Sequence, residues 1–127
     1  MYNINMLKDS KILIVEDELM HRAISNLINN AIKYSQSDKI DVILSDNKTT
    51  LKIEVKDYGI GIEKKYFERL FEKFFRIDKA RSRKTGGTGL GLAIVKNIIE
   101  LHNGTIHIES ELNKGTNFII ELPYLTK

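Results

Sequence analysis

The chain has no cysteine and a single proline in 127 residues. Without thiols there is no disulfide framework, no thiolate metal site of the zinc-finger kind and no cysteine nucleophile, a usage that suits a reducing, cytosolic setting. Long hydrophobic runs are missing too. Lys11-Ile12-Leu13-Ile14-Val15 stands among the longest, far short of the roughly 20 apolar residues that a membrane span needs. The first residues carry no signal-peptide pattern. The expectation is a soluble, cytoplasmic piece with no membrane contact of its own, of the size of one ordinary domain spanning residues 1–127.

Charge is nearly balanced, with 20 Lys and Arg against 17 Asp and Glu, but it is not evenly spread. Between Arg76 and Thr85, five basic residues (Arg76, Lys79, Arg81, Arg83, Lys84) face only Asp78, a local net of +4 that leaves the other 117 residues at −1. Beyond this segment there is no basic stripe with interleaved aromatics, so nucleic acid is not an expected partner. One basic segment beside glycines suits a compact polyanion such as a nucleoside triphosphate. On charge alone, a solvated charge run is the plainer reading.

Hydrophobic spacing predicts a short strand over Lys11 to Val15 and then a helix over Asp17 to Tyr34, with Met20, Ala23, Ile24, Leu27, Ile28 and Ala31 on one face. Lys39 to Ser45 and Leu51 to Lys56 read as an antiparallel hairpin across Asp46-Asn47-Lys48-Thr49-Thr50. A short helix is expected around Glu63 to Phe71, and a longer one from about Leu90 to His102, closed by Asn103-Gly104. A last strand pair, Thr105 to Ser110 and Asn117 to Leu122, turns through Asn113-Lys114-Gly115. The pattern predicts an α/β two-layer sandwich: a mixed, largely antiparallel sheet with about three helices on one face.

Three segments carry chemistry. At 100° per residue, Asn26, Asn30 and Lys33 fall within about 60° of one another on the polar face of the first helix. An asparagine carbonyl is a neutral, hard ligand suited to Mg²⁺ shared with phosphates, whereas the bland alternative is a solvated helix face. Asp57-Tyr58-Gly59-Ile60-Gly61-Ile62 follows a strand. There a carboxylate can accept from an exocyclic amine, and alternate glycines let the backbone approach a ligand closely. Gly86-Gly87-Thr88-Gly89-Leu90-Gly91-Leu92 opens an apolar helix and offers backbone amides to an anion, without the Gly-Lys-Ser/Thr of a Walker A loop. Between them stands Phe71-Glu72-Lys73-Phe74-Phe75-Arg76. Its aromatics read as core or lid anchors and Arg76 as a group able to reach a terminal phosphate.

In order and spacing, NLINNAIKYS, DYGIGI, FEKFFRID and GGTGLGL resemble the N, G1, F and G2 boxes of sensor histidine kinases. The resemblance runs from about Asp17 to Pro123 and implies the GHKL fold, the ATP-binding fold shared with DNA gyrase, mismatch-repair ATPases and heat-shock chaperones. By motif position it makes Asn30 the Mg²⁺ ligand and Asn26 a phosphate-side group, with Lys33 on phosphate and Tyr34 beside the adenine. Asp57 would bind the adenine amino group in a pocket shaped by Gly59 and Gly61, and Arg76 would meet the γ-phosphate. Gly87, Gly89, Leu90 and Gly91 would supply the lid and its amides, and Ile62, Phe74, Thr88 and Leu92 join the candidate nucleotide contacts. Asn26, Lys33 and Arg76 are the catalytic candidates, with ATP and Mg²⁺ as the implied cofactors.

In the hydrolysing relatives the place four before the Mg²⁺-binding asparagine typically holds a glutamate, whereas here it holds Asn26. An amide cannot serve as a base at neutral pH, which favours phosphoryl transfer to a histidine over hydrolysis. The acceptor histidine sits, in such kinases, on a helical-hairpin domain for which there is no room before Asp17. The chain is therefore expected to be an excised, monomeric catalytic domain of a homodimeric, membrane-anchored parent that serves a response regulator indirectly. His21 reads as a helix-surface residue, and His102 and His107 as structural. Against this reading, KILIVEDE resembles the first strand and acidic pair of a response-regulator receiver, with Asp57 near the acceptor distance. A receiver needs a parallel sheet of βα units, which the hairpin at Lys39 to Lys56 denies, and it leaves GGTGLGL unexplained. A silent homologue or a regulatory serine-kinase module of the same fold is the nearer rival.

Overall fold

The computed structural model describes residues 18–75 and 91–123. The expected strand at Lys11 to Val15, the basic segment with Arg76, and Gly87, Thr88, Gly89 and Leu90 of the glycine-rich segment lie outside the described residues.

Helix α1, Glu18–Tyr34, buries Met20, Ala23, Ile24, Leu27 and Ala31, the face its 3.6-residue spacing predicts. Glu18 in its first turn and Lys33 in its last complement the helix dipole. The chain then enters β1, Ile40–Asp46, which pairs antiparallel with β2, Thr50–Asp57. The connection is held by one side chain. Asn47 Oδ1 accepts from the backbone N–H groups of Thr49 (3.1 Å) and Thr50 (2.8 Å) and from both threonine hydroxyls, while Lys48 takes φ 77°.

Helix α2, Gly91–Leu101, buries Val95, Ile98 and Ile99. It ends with Asn103 at φ 60° and the Gly104 N–H on the Ile99 carbonyl at 2.9 Å. The left-handed cap thus falls on asparagine rather than on the glycine after it. Strands β3, Thr105–Glu111, and β4, Gly115–Pro123, form the last hairpin, and β4 pairs antiparallel with β2, giving the order β1-β2-β4-β3. Every strand pair among the described residues is antiparallel.

Register explains the core. The rows Val42–Val55–Phe118–Ile108 and Leu44–Ile53–Ile120–Ile106 cross the sheet on its inner face, and α1 and α2 lay their apolar stripes on that face in one hydrophobic cluster. The segment expected as a short helix around Glu63 to Phe71 is a 3₁₀ turn, Lys64–Tyr66. It continues through three-residue hydrogen bonds such as Arg69 N–H to the Tyr66 carbonyl (3.0 Å) and Glu72 N–H to the Arg69 carbonyl (3.0 Å). It docks by Phe71, edge-on to Phe118 with ring centroids 6.4 Å apart. No helix among the described residues is long and apolar enough to cross a membrane.

Candidate functional site

The inner face of the sheet is apolar until its last row. There the alternation that buries Ile53 and Val55 on β2 brings Asp57 inward at 5% exposure, and the alternation on β4 brings Thr116 inward at 4%. A buried carboxylate needs hydrogen bonds to stay charged. Asp57 Oδ1 accepts from the N–H groups of Gly59 (3.0 Å) and Thr116 (3.2 Å). Both bonds converge on one oxygen, and Oδ2 has no hydrogen-bond partner among the described residues.

A small, open cleft borders this carboxylate. One wall is the end of α1, with Asn30, Ala31, Tyr34 and Ser35; the other is the loop after β2, with Ile60, Gly61 and Ile62; Thr116 and Phe118 of β4 complete it with Asp57. The loop is pinned to α1 by the Ile60 N–H on the Ser35 carbonyl (2.8 Å) and to β3 by the Ile62 N–H on Ser110 Oγ (2.8 Å). Its glycines are required by the chain's own crowding. A Cβ on Gly59 would run into the Ser35 carbonyl, and one on Gly61, which sits at φ 75°, into the Glu111 carbonyl.

Of the sequence candidates, the cleft brings together Asn30, Tyr34, Asp57, Gly61 and Ile62. Asn26, Lys33, Gly59, Phe74, Gly91 and Leu92 do not line it among the described residues. Asn26 is half-buried one turn before Asn30, and Lys33 is exposed in the last turn of α1. Phe74 is 68% exposed at φ 66°, and Leu92 packs on the core at the start of α2. Sequence reasoning missed Ser35, Ser110 and Thr116. For the last two a signal existed: counting by twos from Ile106 and Ile108, or back from Phe118 and Ile120, puts a hydroxyl at an inward position.

Tyr58, inside the DYGIGI segment, faces away from the cleft. Its hydroxyl donates to Asp41 Oδ2 at 2.6 Å, with Lys39 and Lys56 ammonium groups 5.2 and 5.3 Å from its ring centroid. The hydrogen bond to Asp41 holds the Tyr58 phenol above its ordinary value of 10.0. Since the folded value is the higher one, this bond stabilises the fold at pH below about 10 and is lost as pH rises through the folded value. Nuclear magnetic resonance titration should find the Tyr58 ring ionising above the ordinary range, and Asp41→Asn should bring it down. His102 Nδ1 lies 2.8 Å from the Ile98 carbonyl and so caps its own helix, as a structural histidine does. His21 and His107 are exposed.

Residues 15–126 match the family described as histidine kinase-, DNA gyrase B-, and HSP90-like ATPase. The chain is 50% identical over 110 residues to the sensor-like histidine kinase SenX3 of Mycolicibacterium smegmatis, covering 85% of this chain and 28% of that protein. Among solved structures it superposes on full-length ShkA in complex with AMPPNP (TM-score 0.73, 27% identity, 86% of this chain and 22% of that one). It also superposes on a nucleotide-free catalytic domain of histidine kinase ThkA (TM-score 0.70, 33% identity, 84% of this chain and 66% of that one). The chain spans less than a third of the length of the curated relatives it matches.

Proposed function

Because the chain belongs to the family of histidine kinase-, DNA gyrase B- and HSP90-like ATPases, we propose that it is the ATP-binding catalytic domain of a two-component sensor histidine kinase. It binds Mg-ATP and passes the γ-phosphoryl group to a histidine on a separate helical domain of its parent. The observation that carries the reading is Asp57, a buried carboxylate with one oxygen held by two backbone N–H groups and the other left for a donor at the floor of the cleft. An exocyclic amine such as that of adenine is the donor such an oxygen takes. The ShkA relative was solved in complex with AMPPNP, an ATP analogue, which supports a nucleotide here.

Asn30 is half-buried on the cleft wall, and its amide has no hydrogen-bond partner among the described residues. One neutral protein oxygen, completed by phosphate oxygens and water, is a donor set that suits Mg²⁺. No cluster of three or more His, Cys, Asp or Glu among the described residues competes for a metal. Bound there, Mg²⁺ would offset charge on the phosphate oxygens.

The remaining roles follow from the residue types. Lys33 and Arg76 hold phosphate charge, and Tyr34, Gly59, Gly61 and Ile62 shape the base end. Gly87, Thr88, Gly89, Leu90 and Gly91 supply the lid and its amides, and Phe74 and Leu92 join the nucleotide contacts. Asn26 contacts the phosphate side and supplies no base. Transfer of this kind asks mainly for positioning and charge stabilisation, so the nucleophile comes from the parent's helical domain, and a response-regulator receiver takes the phosphoryl group next. Taken alone this chain is a monomer, and its parent is a homodimer anchored in the membrane. Asn30→Asp sets a fixed negative charge beside the triphosphate and is expected to lower autophosphorylation of the full-length kinase by about tenfold, or ~1.4 kcal/mol. Equal labelling of wild type and variant with γ-labelled ATP overturns the assignment.

A further inference from the structure

Ser37 stands where the chain crosses from α1 to β1. Its hydroxyl accepts from the Tyr58 N–H at 3.1 Å and from the Lys39 N–H at 3.2 Å, and donates to the Lys39 carbonyl at 2.7 Å. A serine hydroxyl has one proton and two lone pairs, and here all of them are spent on backbone. The β1–β2 ladder ends at the pair Ile40 with Asp57, so the next pair in register would be Lys39 with Tyr58. Ser37 takes three of the four backbone groups that such a pair would bring, and β2 stops at Asp57.

Three successive N–H groups then find three different acceptors. Tyr58 gives its N–H to Ser37 Oγ, Ile60 gives its own to the Ser35 carbonyl at 2.8 Å, and Gly59 between them turns back to Asp57 Oδ1 at 3.0 Å. Ser35 and Ser37 are themselves joined, by the Ser37 N–H on Ser35 Oγ at 3.1 Å. The turn that holds Oδ1 therefore hangs from two points on one short strap. With Oδ1 engaged, Oδ2 has no hydrogen-bond partner among the described residues, in a side chain that lines the cleft.

We propose that Ser37 is a positioning residue for nucleotide binding, which acts through Asp57: its hydroxyl ends the ladder and fixes the Tyr58 peptide, so that Gly59 meets Oδ1 and Oδ2 is left for the ligand. The proposal rests on the nucleotide reading above and deepens it. Water can satisfy the Tyr58 N–H once the hydroxyl is gone, because that bond is exposed, but water does not hold the peptide at one angle. The Tyr58 phenol meanwhile stays on Asp41 Oδ2 at 2.6 Å, which keeps the hairpin end in place. Removal of the hydroxyl should thus loosen the aim of the carboxylate more than the fold.

The test is a double-mutant cycle, read by calorimetric titration of the purified chain with a non-hydrolysable ATP analogue and Mg²⁺. Ser37→Ala is expected to weaken binding about fivefold, the scale of one neutral hydrogen bond, with a melt close to wild type. Ser37→Thr, which restores the hydroxyl, should restore the affinity. In an Asp57→Asn background Ser37→Ala should have no further effect, since the group it positions is already gone. The Gly59 amide proton, bonded to a carboxylate, should move upfield in the magnetic resonance spectrum of Ser37→Ala and keep its place in Ser37→Thr. If alanine does not fold, Ser37→Cys takes its place in the cycle, because a thiol fills the space and accepts poorly. Unchanged affinity, or the same fold-loss in both backgrounds, overturns the positioning role and leaves the ATP site standing. Folded wild type that does not bind, or Asp57→Asn that binds as well as wild type, overturns the nucleotide reading, and the proposal with it.

Discussion

Asp57→Asn is expected to weaken binding of a non-hydrolysable ATP analogue by on the order of 100-fold, the scale of a hydrogen bond to a charged group, with a melting temperature within a few degrees of wild type. The two halves of that expectation come from the two oxygens of one carboxylate. Asparagine can keep its carbonyl oxygen where Oδ1 stands, so the Gly59 and Thr116 N–H groups retain their acceptor. What changes is the atom at the cleft floor, where an amide nitrogen with two protons now meets an amine that also has only protons to give. Asp57→Ala differs in kind. It strands two N–H groups at a site 5% exposed and should cost about 2–4 kcal/mol of stability. Titration beside a thermal melt separates the two variants. Undiminished binding by Asp57→Asn means the base sits elsewhere and removes the central support for the nucleotide reading.

That Asp57 could be singled out from sequence at all has a local cause: it closes an apolar strand and is followed by two alternate glycines. The first helix, both hairpins and the second helix were legible for the same reason, since their hydrophobic spacing lies within single short windows. What was not legible depends on pairing between distant strands. Thr116 is 59 residues from Asp57 yet holds its carboxylate, and Ser110 is 48 residues from the Ile62 it anchors. Only the β2 to β4 register brings them together. The short helix expected after the glycines failed locally. Tyr66, Leu70 and Phe71 have helical spacing, but only Leu70 is buried and Phe71 alone stacks on Phe118. The segment lacks the continuous apolar stripe that tertiary packing needs to hold an α-helix so short.

The glycines were legible as special for a ligand's approach, and the fold adds crowded neighbours of the chain's own; Gly59→Ala is the substitution that separates the two. If Gly59 served only to let a ligand approach, an added methyl would weaken binding and leave the melt alone. In the fold its Cβ would strike the Ser35 carbonyl and come within 2.9 Å of the Ser35 Cβ. Neither can retreat easily. Ser35 is buried, its N–H is bonded to the Ala31 carbonyl at 3.1 Å, and its own carbonyl holds the Ile60 N–H. The methyl must therefore push the loop off the end of α1, losing that bond and opening the cleft wall. A cost of about 3 kcal/mol is expected, in the range of overpacked buried sites, with a drop in melting temperature on the order of 10 °C. Gly91 is the control, because a Cβ there meets nothing within 4 Å among the described residues and the residue begins α2. Gly91→Ala should melt at or slightly above wild type, by up to about 1 kcal/mol, since alanine loses less backbone freedom on folding. Equal melts for the two variants would mean that the loop can yield at Gly59, and that the glycine is there for the ligand after all.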